Sequence, residues 1–324
     1  DGSPFYYAGT NCYYLTFKSQ EAVDSVFKDA EAMGLKVIRV WGNLDVGVKT
    51  GTTDSQGKPV FTNNNDGPGE KDGIYFQYFD KDLGKPMINE GKDGLQKLDY
   101  ALYQAEKHGI KLLITFTNYW DAFGGMGQYI KWAQELGITG LKKDDFYTNE
   151  TLKGWYKDYV NGLLNHTNPY TGRKLKDEPS VFAWELANEP RCNTDAQCKD
   201  NILYNWAKEM SEYVKSIDPN HMVSLGDEGF YNKPYGYYNE YTTSNYAFYG
   251  AEGVDFEKLM TIDTLDFGTP HLYLDQWGMK HTGTGQDDLL WFKIHGETCA
   301  ELDKPVILTG SQIPLCELRS DGRD

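Results

Sequence analysis

Several features that mark other classes of protein are scarce or missing in this chain. No apolar run in its 324 residues approaches the roughly 20 residues that a membrane-spanning helix needs. Acidic residues outnumber basic ones, and the net charge of −16 disfavours nucleic acid and anionic lipid as partners. The few His residues show no metal-ligand spacing, so we expect no metal site.

Cysteine is also scarce, with five residues in the chain. Cys192 and Cys198 are close enough in sequence to form a small disulfide in an oxidising compartment. Cys12 and Cys299 are interpreted as buried thiols. The chain begins at Asp1 without Met, which is typical of a mature secreted protein whose signal peptide has been removed. We therefore expect an extracellular protein.

Aromatic residues, by contrast, are plentiful. They make up 15% of the chain, with 24 Tyr and 8 Trp, and hydrophobic residues as a whole make up 40%. Core packing accounts for many of these rings, and the composition is that of a globular protein. Flat amphipathic rings also match the apolar faces and polar edges of sugars, and a neutral sugar is indifferent to the negative charge.

Strand-like runs alternate with amphipathic helical patterns along the chain. The runs are residues 5–9, 36–41, 111–116, 181–186, 221–225, 270–273 and 304–308. Residues 19–33 predict a helix, with Ser19 as its N-cap and Gly34 as its end. Repeated strand-then-helix units imply a parallel sheet. Seven units with long loops, and no glycine-rich phosphate motif after the first strand, favour a (β/α)8 TIM barrel of the α/β class.

The eighth strand and helix of such a barrel are not evident. Residues 309–324 are too few for a further unit, and residues 311–324 have no helical period. We therefore expect a barrel domain over residues 1–310 whose eighth unit is missing or replaced, and a tail over residues 311–324 that is foreign to it.

The most informative segment runs from Trp184 to Pro190, with the sequence Trp-Glu-Leu-Ala-Asn-Glu-Pro. It is an apolar strand that ends in an amide, a carboxylic acid and a proline. Barrel enzymes present a general acid in this way, at the open end of a strand. Glu189 is therefore the candidate catalytic group.

Residues 5–308 resemble the β-mannanases of glycoside hydrolase family 5. The order and spacing of several stretches carry the resemblance: residues 9–11, 38–42, 73–78, 117–120, 123–125, 184–191, 226–230, 271–273 and 275–278. The resemblance implies retaining hydrolysis of internal β-1,4 bonds in mannans, galactomannans and glucomannans, without a cofactor. It also implies a secreted, monomeric polysaccharide-degrading enzyme.

The resemblance assigns roles to individual residues. Glu189 would be the acid/base, and Asn188 would donate to the sugar 2-hydroxyl. Arg39 would lie near the nucleophile and hold it ionised; a structural salt bridge is the alternative. His271 and Tyr273 would line the catalytic subsite.

Three tryptophans would stack against sugar rings, namely Trp41, Trp120 and Trp277, and core packing remains open for each. Glu185 points opposite to its strand neighbours, so we interpret it as structural.

One departure from the family concerns the nucleophile. A retaining glycosidase needs a second carboxylate about 5–5.5 Å from the first. The family places that Glu just after the seventh strand, where this chain has Gly310. We expect this chain to be inactive or nearly so. A non-catalytic mannan-binding protein and a family 5 endoglucanase remain as alternative interpretations.

Overall fold

The structure is a computed structural model that describes residues 5–65, 73–192, 201–239, 244, 246–279 and 286–311. The strands are β1 (Gly9–Asn11), β2 (Val37–Trp41), β3 (Asp45–Thr53), β4 (Pro59–Thr62), β5 (Gln77–Asp80), β6 (Lys85–Ile88), β7 (Lys111–Thr115), β8 (Val181–Glu185), β9 (Met222–Ser224), β10 (His271–Leu272) and β11 (Gly310–Ser311). The helices are α1 (Gln20–Ala32), α2 (Gln96–Lys107), α3 (Gly125–Glu135), α4 (Glu150–Asn165), α5 (Ile202–Ile217), α6 (Phe256–Leu259) and α7 (Gln286–Glu301), with three 3₁₀ helices (Tyr13–Phe17, Lys143–Tyr147 and Leu175–Asp177).

Five of the strands form one parallel sheet in the order β1-β2-β7-β8-β9. Helices separate consecutive strands of this sheet along the chain, because a parallel pair needs a long crossover. The predicted strands at 36–41, 111–116, 181–186 and 221–225 are confirmed to within one residue at each end. The predicted parallel α/β organisation is therefore confirmed.

Helix α1 illustrates how local sequence sets an element. The side chain of Ser19 accepts a hydrogen bond from the backbone N–H of Ala22, and Gly34 follows the helix with a φ of +75°. Val23 and Phe27 are buried on the face that meets the core. The predicted helix, with its start and its end, is confirmed.

A smaller four-stranded sheet follows β2, in the order β4-β3-β5-β6. It contains antiparallel pairs and lies outside the main sheet. The pattern of repeated strand-helix units gives no sign of it. Its position matters because β3 starts at Asp45, which helps to hold the loop after β7.

The first and seventh strands differ from the prediction. The first strand is residues 9–11 rather than 5–9. Residues 304–308 form only an isolated bridge, between Gly268 and Val306, and the strand is Gly310–Ser311, paired in parallel with β10. Pro305 has no N–H to give to a ladder, and Val306 and Leu308 stay more than a third exposed.

In the described part of the chain, the parallel strands do not close into a ring. The five-stranded sheet and the β10–β11 pair are separate. A cavity of about 1020 Å³ lies between them, lined by residues of the N-terminal segment 5–11 and by residues 305–311. The eighth unit was expected at or beyond this edge. Residues 312–324 lie outside the described residues, so its absence stays a prediction.

The cysteine predictions can be followed in part. Cys192 is disulfide-bonded, and its predicted partner Cys198 lies outside the described residues. Cys12 and Cys299 are free and buried, as predicted. Over the described residues, no helix combines the length and apolar character required to cross a bilayer.

Candidate active site

The candidate site lies where β8 ends and the chain turns away. Glu189 has a left-handed backbone with a φ of +49°, which is uncommon for a residue with a side chain. Its backbone N–H donates to the carbonyl of Gly226 at 2.8 Å, which ties the turn to the end of β9. Such strain, of order 1–3 kcal/mol, persists where the surroundings fix the conformation, and it is common at functional sites.

Gly226 allows this close approach of the two strand ends. A Cβ at this position would lie 2.1 Å from the carbonyl oxygen of Ala187 and 2.5 Å from Cγ of Glu185. Its φ of +87° is also a conformation that glycine adopts readily. A larger residue would displace the turn that carries Glu189.

The carboxylate of Glu189 contacts two ring nitrogens. Nε1 of Trp120 donates to Oε2 at 2.6 Å, and Nδ1 of His271 is hydrogen-bonded to Oε1 at 2.8 Å. The side chain of Glu189 is 14% exposed and that of His271 only 1%. The structure therefore brings three of the predicted site residues, from three different strand ends, into direct contact.

This environment favours the ionised form of Glu189. Burial alone would raise its pKa, but the hydrogen bond and charge of His271, the hydrogen bond from Trp120 and the charge of Arg39 together lower the pKa to about 2. A general acid must carry a proton near its working pH. The site as it stands therefore holds a carboxylate base rather than a carboxylic acid.

Gly310 lies beside the same ring. It is paired in register with His271 across β10 and β11. A Cβ at Gly310 would lie 2.8 Å from Cγ and 2.9 Å from Nδ1 of His271, and 2.9 Å from the hydroxyl of Tyr273. Position 310 therefore faces His271 and Tyr273, which would have to shift to admit a side chain, and glycine brings no carboxylate to it. Its role as a nucleophile position stays a prediction.

Arg39 pairs with other groups than the nucleophile predicted from the resemblance. It forms a buried ion pair with Glu185 and donates from Nη2 to Oδ1 of Asn188 at 2.8 Å. Thr115 also donates to Glu185, at 2.6 Å. Among the described residues, the carboxylate that Arg39 pairs with is thus Glu185, and Arg39 shares only a cavity with Gly310.

Asn188 is fixed on both sides of its amide. Besides accepting from Arg39, it donates from Nδ2 to Oδ1 of Asn118 at 3.0 Å, and residues 118 and 188 form a parallel bridge beyond β7 and β8. These bonds leave the amide in one orientation beside Glu189. Its predicted contact with a sugar hydroxyl stays a prediction.

An aromatic groove of about 650 Å³ opens beside Glu189. We use this name for the cleft lined chiefly by Tyr13, Tyr14, Trp41, Trp120 and Phe123, with Asn118 and Asn188 at its floor. Trp120 is 41% exposed, and Tyr13 and Tyr14 are 50% and 39% exposed. Exposed rings along a cleft are the surface that sugar stacking requires. Sequence reasoning missed the two tyrosines, although an aromatic pair directly after β1 was a usable signal.

The other two tryptophans are less open. Trp41 is 9% exposed and reaches the groove from the end of β2. Trp277 is 4% exposed and packs against Phe230, Tyr273 and Trp291, with ring centroids 4.9, 5.7 and 5.3 Å away. Trp277 therefore belongs to an aromatic cluster, and its stacking on a sugar stays a prediction.

Arg191 supports Trp120 and was not singled out from the sequence. Its guanidinium carbon is 5.0 Å from the centre of the Trp120 ring. Nε and Nη2 donate to both carboxylate oxygens of Glu228 at 2.6 Å, and Nη1 donates to the hydroxyl of Tyr246 at 2.9 Å. The residue directly after Glu189-Pro190 thus fixes the floor beneath an exposed ring of the groove.

Parallel strands with intervening helices, and a strand-end carboxylate beside an aromatic groove, are the architecture of a glycoside hydrolase. The family model described as GH family 5 beta-mannosidase-like matches residues 1–309. The chain belongs to this family.

Curated relatives agree with this assignment. A probable mannan endo-1,4-beta-mannosidase F from Aspergillus oryzae is 40% identical over 308 residues, which are 95% of this chain and 57% of the relative. A probable mannan endo-1,4-beta-mannosidase A from Aspergillus flavus is 38% identical over 309 residues, or 67% of its length. The chain thus spans little more than half of the first of these relatives.

Solved structures give the same result for the fold. The endo-1,4-beta-mannanase from Rhizomucor miehei superposes with a TM-score of 0.81 at 37% identity, over 97% of this chain and 79% of the other. The endo-beta-1,4-mannanase from Thermotoga petrophila has a TM-score of 0.77 at 38% identity, over 98% of this chain and 63% of the other. The fold is therefore TIM-barrel-like, although the described strands do not close.

Proposed function

We propose that this chain carries the substrate groove and the acid/base residue of an endo-β-1,4-mannanase, a family 5 enzyme that hydrolyses internal bonds of mannans, galactomannans and glucomannans with retention. The observation that carries the proposal is the carboxylate of Glu189, held by Trp120 and His271 beside the aromatic groove. The names of the relatives support mannan as the substrate class.

The residues around Glu189 have complementary roles in this proposal. Asn188, oriented by Arg39, donates to the 2-hydroxyl of the sugar in the catalytic subsite, where contacts strengthen at an oxocarbenium-like transition state. Trp120 both hydrogen-bonds Glu189 and offers its exposed face to a sugar ring. Ring stacking and proton transfer are then coupled through one side chain.

Hydrolysis by this chain is expected to be residual. The retaining route needs a nucleophile on the opposite face of the sugar from the acid/base, and position 310 holds glycine. The contacts with His271 and Trp120 also lower the pKa of Glu189, which works against protonation of the leaving oxygen. Loss of a covalent nucleophile costs on the order of a millionfold in kcat. Glycine at position 310 also favours a second candidate function, a mannan-binding protein without turnover.

Two further expectations belong to the proposal. The family match to residues 1–309 supports a catalytic unit over residues 1–310, distinct from residues 311–324. The disulfide at Cys192 supports an extracellular location.

Three variants and two measurements test the proposal. Mannohexaose should bind the unaltered chain by calorimetry, and cellohexaose should bind more weakly. Release of reducing ends from galactomannan should be near the blank rate for the unaltered chain and for Gly310→Ala and Gly310→Gln. Gly310→Glu should raise this rate. Tighter binding of cellohexaose would favour an endoglucanase, and full galactomannan hydrolysis by the unaltered chain would refute the role of position 310.

A further inference from the structure

A second cleft lies between α1, α2 and the loop that follows α4. It has a volume of about 210 Å³ and is lined chiefly by Lys18, Gln20, Gln96, Lys97, Tyr100 and Tyr170. We call it the tyrosine cleft. Neither the sequence patterns nor the family resemblance assigns a function to it.

Tyr170 presents a fixed aromatic surface in this cleft, and it is 41% exposed. Its ring stacks on that of Tyr103 with centroids 5.6 Å apart and planes at 22°, and it meets the ring of Tyr100 edge-on at 5.4 Å. Nε2 of Gln20 donates to its hydroxyl at 3.2 Å, and its backbone N–H donates to Oδ1 of Asn168 at 2.9 Å. Because the ring is already held in place, a ligand that stacks on it pays little for ordering it.

Polar side chains border this ring. Gln20 is exposed along the cleft, and Gln96 and Lys97 are partly buried there. An aromatic surface beside amide and ammonium groups matches a pyranose ring, whose C–H face is apolar and whose hydroxyls need hydrogen-bond partners. Asp93 lies beside the lysines in the same cleft, and the net charge of the chain is −16. These charges favour a neutral sugar over an anion as the ligand.

The tyrosine cleft adjoins the aromatic groove. Lys18 lines both, and its Nζ lies 5.0 Å from the centre of the Phe17 ring, which also lines the groove. Gln20, which contacts Tyr170, follows two residues later, a distance of at most about 7 Å along the chain. Nζ of Lys97 donates to the carbonyl of Lys18 at 3.4 Å and so ties this segment to α2. A polysaccharide bound in the groove can therefore continue over Lys18 to the ring of Tyr170.

We propose that the tyrosine cleft is a second binding site for neutral β-linked mannan, which takes a stretch of the polysaccharide beyond the units in the aromatic groove. The inference rests on the proposed function for its substrate class. It goes beyond that function, because it assigns binding to residues outside the candidate active site. When the groove holds one stretch of a chain, the cleft meets the next stretch at a high effective concentration, so long chains bind more tightly than short ones.

The test compares a short and a long ligand with the full chain. Mannotriose binding is measured by calorimetry, and binding to insoluble mannan is measured by depletion of the protein from solution. Tyr170→Ala should weaken binding to mannan roughly two- to tenfold. It should leave the affinity for mannotriose unchanged, because the groove holds that ligand.

Two variants are matched to this one. Tyr170→Phe keeps the ring and should bind mannan like the unaltered chain. Tyr235→Ala removes a tyrosine that is 77% exposed and lines neither cleft, so it should change neither measurement. Thermal unfolding of each variant establishes that it is folded.

A variant of the groove separates the two sites further. Trp120→Ala removes the most exposed tryptophan of the aromatic groove and should abolish mannotriose binding. Weak binding to mannan should remain and should disappear when Trp120→Ala is combined with Tyr170→Ala. About 0.5 M NaCl should not reduce this remaining binding, because salt screens charges and the ligand is neutral.

The outcomes distinguish this inference from the proposed function. If mannotriose binds but Tyr170→Ala binds mannan like the unaltered chain, the second site is refuted and the proposed function stands. If Tyr170→Ala weakens binding of both ligands equally, Tyr170 acts through the groove and the second site is again refuted. If salt abolishes the binding that depends on Tyr170, a neutral polysaccharide is the wrong ligand class. If the folded chain binds neither ligand, both proposals fail.

Discussion

Introducing a carboxylate at position 310 should change the ionisation of Glu189. The new side chain would start beside His271, which has to shift slightly because a Cβ would lie only 2.9 Å from the Nδ1 that contacts Glu189 at 2.8 Å. At a separation of about 5 Å and an effective dielectric constant of about 20, two negative charges repel by roughly 3.3 kcal/mol. This repulsion corresponds to about 2.4 pKa units.

Gly310→Glu should therefore raise the pKa of Glu189 from about 2 to roughly 4 to 5, the range in which a carboxylic acid can serve as a general acid in mildly acidic solution. The measurement is a ¹³C NMR titration of protein labelled at the glutamate carboxyl carbon. The signal of Glu189 is assigned by its loss in Glu189→Gln.

The matched control is Gly310→Gln, which adds the same bulk without the charge. It should leave the pKa of Glu189 at about 2. Thermal unfolding of both variants establishes that the protein tolerates a side chain beside His271 and Tyr273. If folded Gly310→Glu leaves the pKa unchanged, the two positions are not a catalytic pair. If Gly310→Gln raises the pKa equally, desolvation rather than charge repulsion is the cause.

Three further changes address the groove, the interior and pH. Trp120→Phe removes the N–H that bonds Glu189, a charged hydrogen bond of about 1.5–3 kcal/mol, so the same titration should give a pKa about one to two units higher. Glu185→Gln breaks the buried pair with Arg39 and should cost about 3–5 kcal/mol in urea unfolding. Burial raises the pKa of Asp45 from 3.8 to about 7, so the folded state keeps a proton that the unfolded chain loses. The contribution of Asp45 to the free energy of unfolding therefore falls by up to ~4 kcal/mol as the pH rises from about 4 to about 7. Asp45→Asn should accordingly lower the free energy of unfolding less at about pH 8 than at about pH 4.

Each of these changes has a control. Glu212→Gln disrupts an exposed pair with Lys208 and should change stability by less than about 0.5 kcal/mol. An equally small effect of Glu185→Gln would contradict its buried pairing. An unchanged pKa of Glu189 in Trp120→Phe would contradict the Trp120 contact, and equal costs of Asp45→Asn at both pH values would contradict a protonated Asp45.

The sequence was sufficient for the elements whose apolar pattern is continuous. Strands β2, β7 and β8 are buried runs, and the apolar pattern located each of them. The 304–308 run has the same apolar pattern but forms only an isolated bridge with Gly268, because a regular ladder also depends on the neighbouring segment. Periodicity within one segment carries no information about that neighbour.

Site residues that belong to a sequence motif were predictable, and those whose role depends on a tertiary contact were not. The turn after β8 pointed to Glu189, and the resemblance pointed to His271 and position 310. The partner of Arg39 was not readable, because Glu185 lies 146 positions away and only the register of three strands brings the two together. Arg191 was missed for a related reason: its role comes from the ring of Trp120 that it packs beneath.

Trp120 joins two parts of this molecule, the aromatic groove that it lines and the carboxylate of Glu189 to which it donates. The aromatic groove is built by Tyr13, Tyr14, Trp41, Trp120 and Phe123, which come from the segments that follow β1, β2 and β7. In the proposed function, proton transfer depends on Glu189, which contacts His271, and bond cleavage depends on what stands at position 310. Among the described residues, the groove rings contact one another, Trp41 contacts Arg39, and Trp120 contacts Arg191 and Glu189, so their placement does not depend on a carboxylate at 310. In the proposed function, a single glycine would therefore remove hydrolysis while leaving the aromatic groove in place.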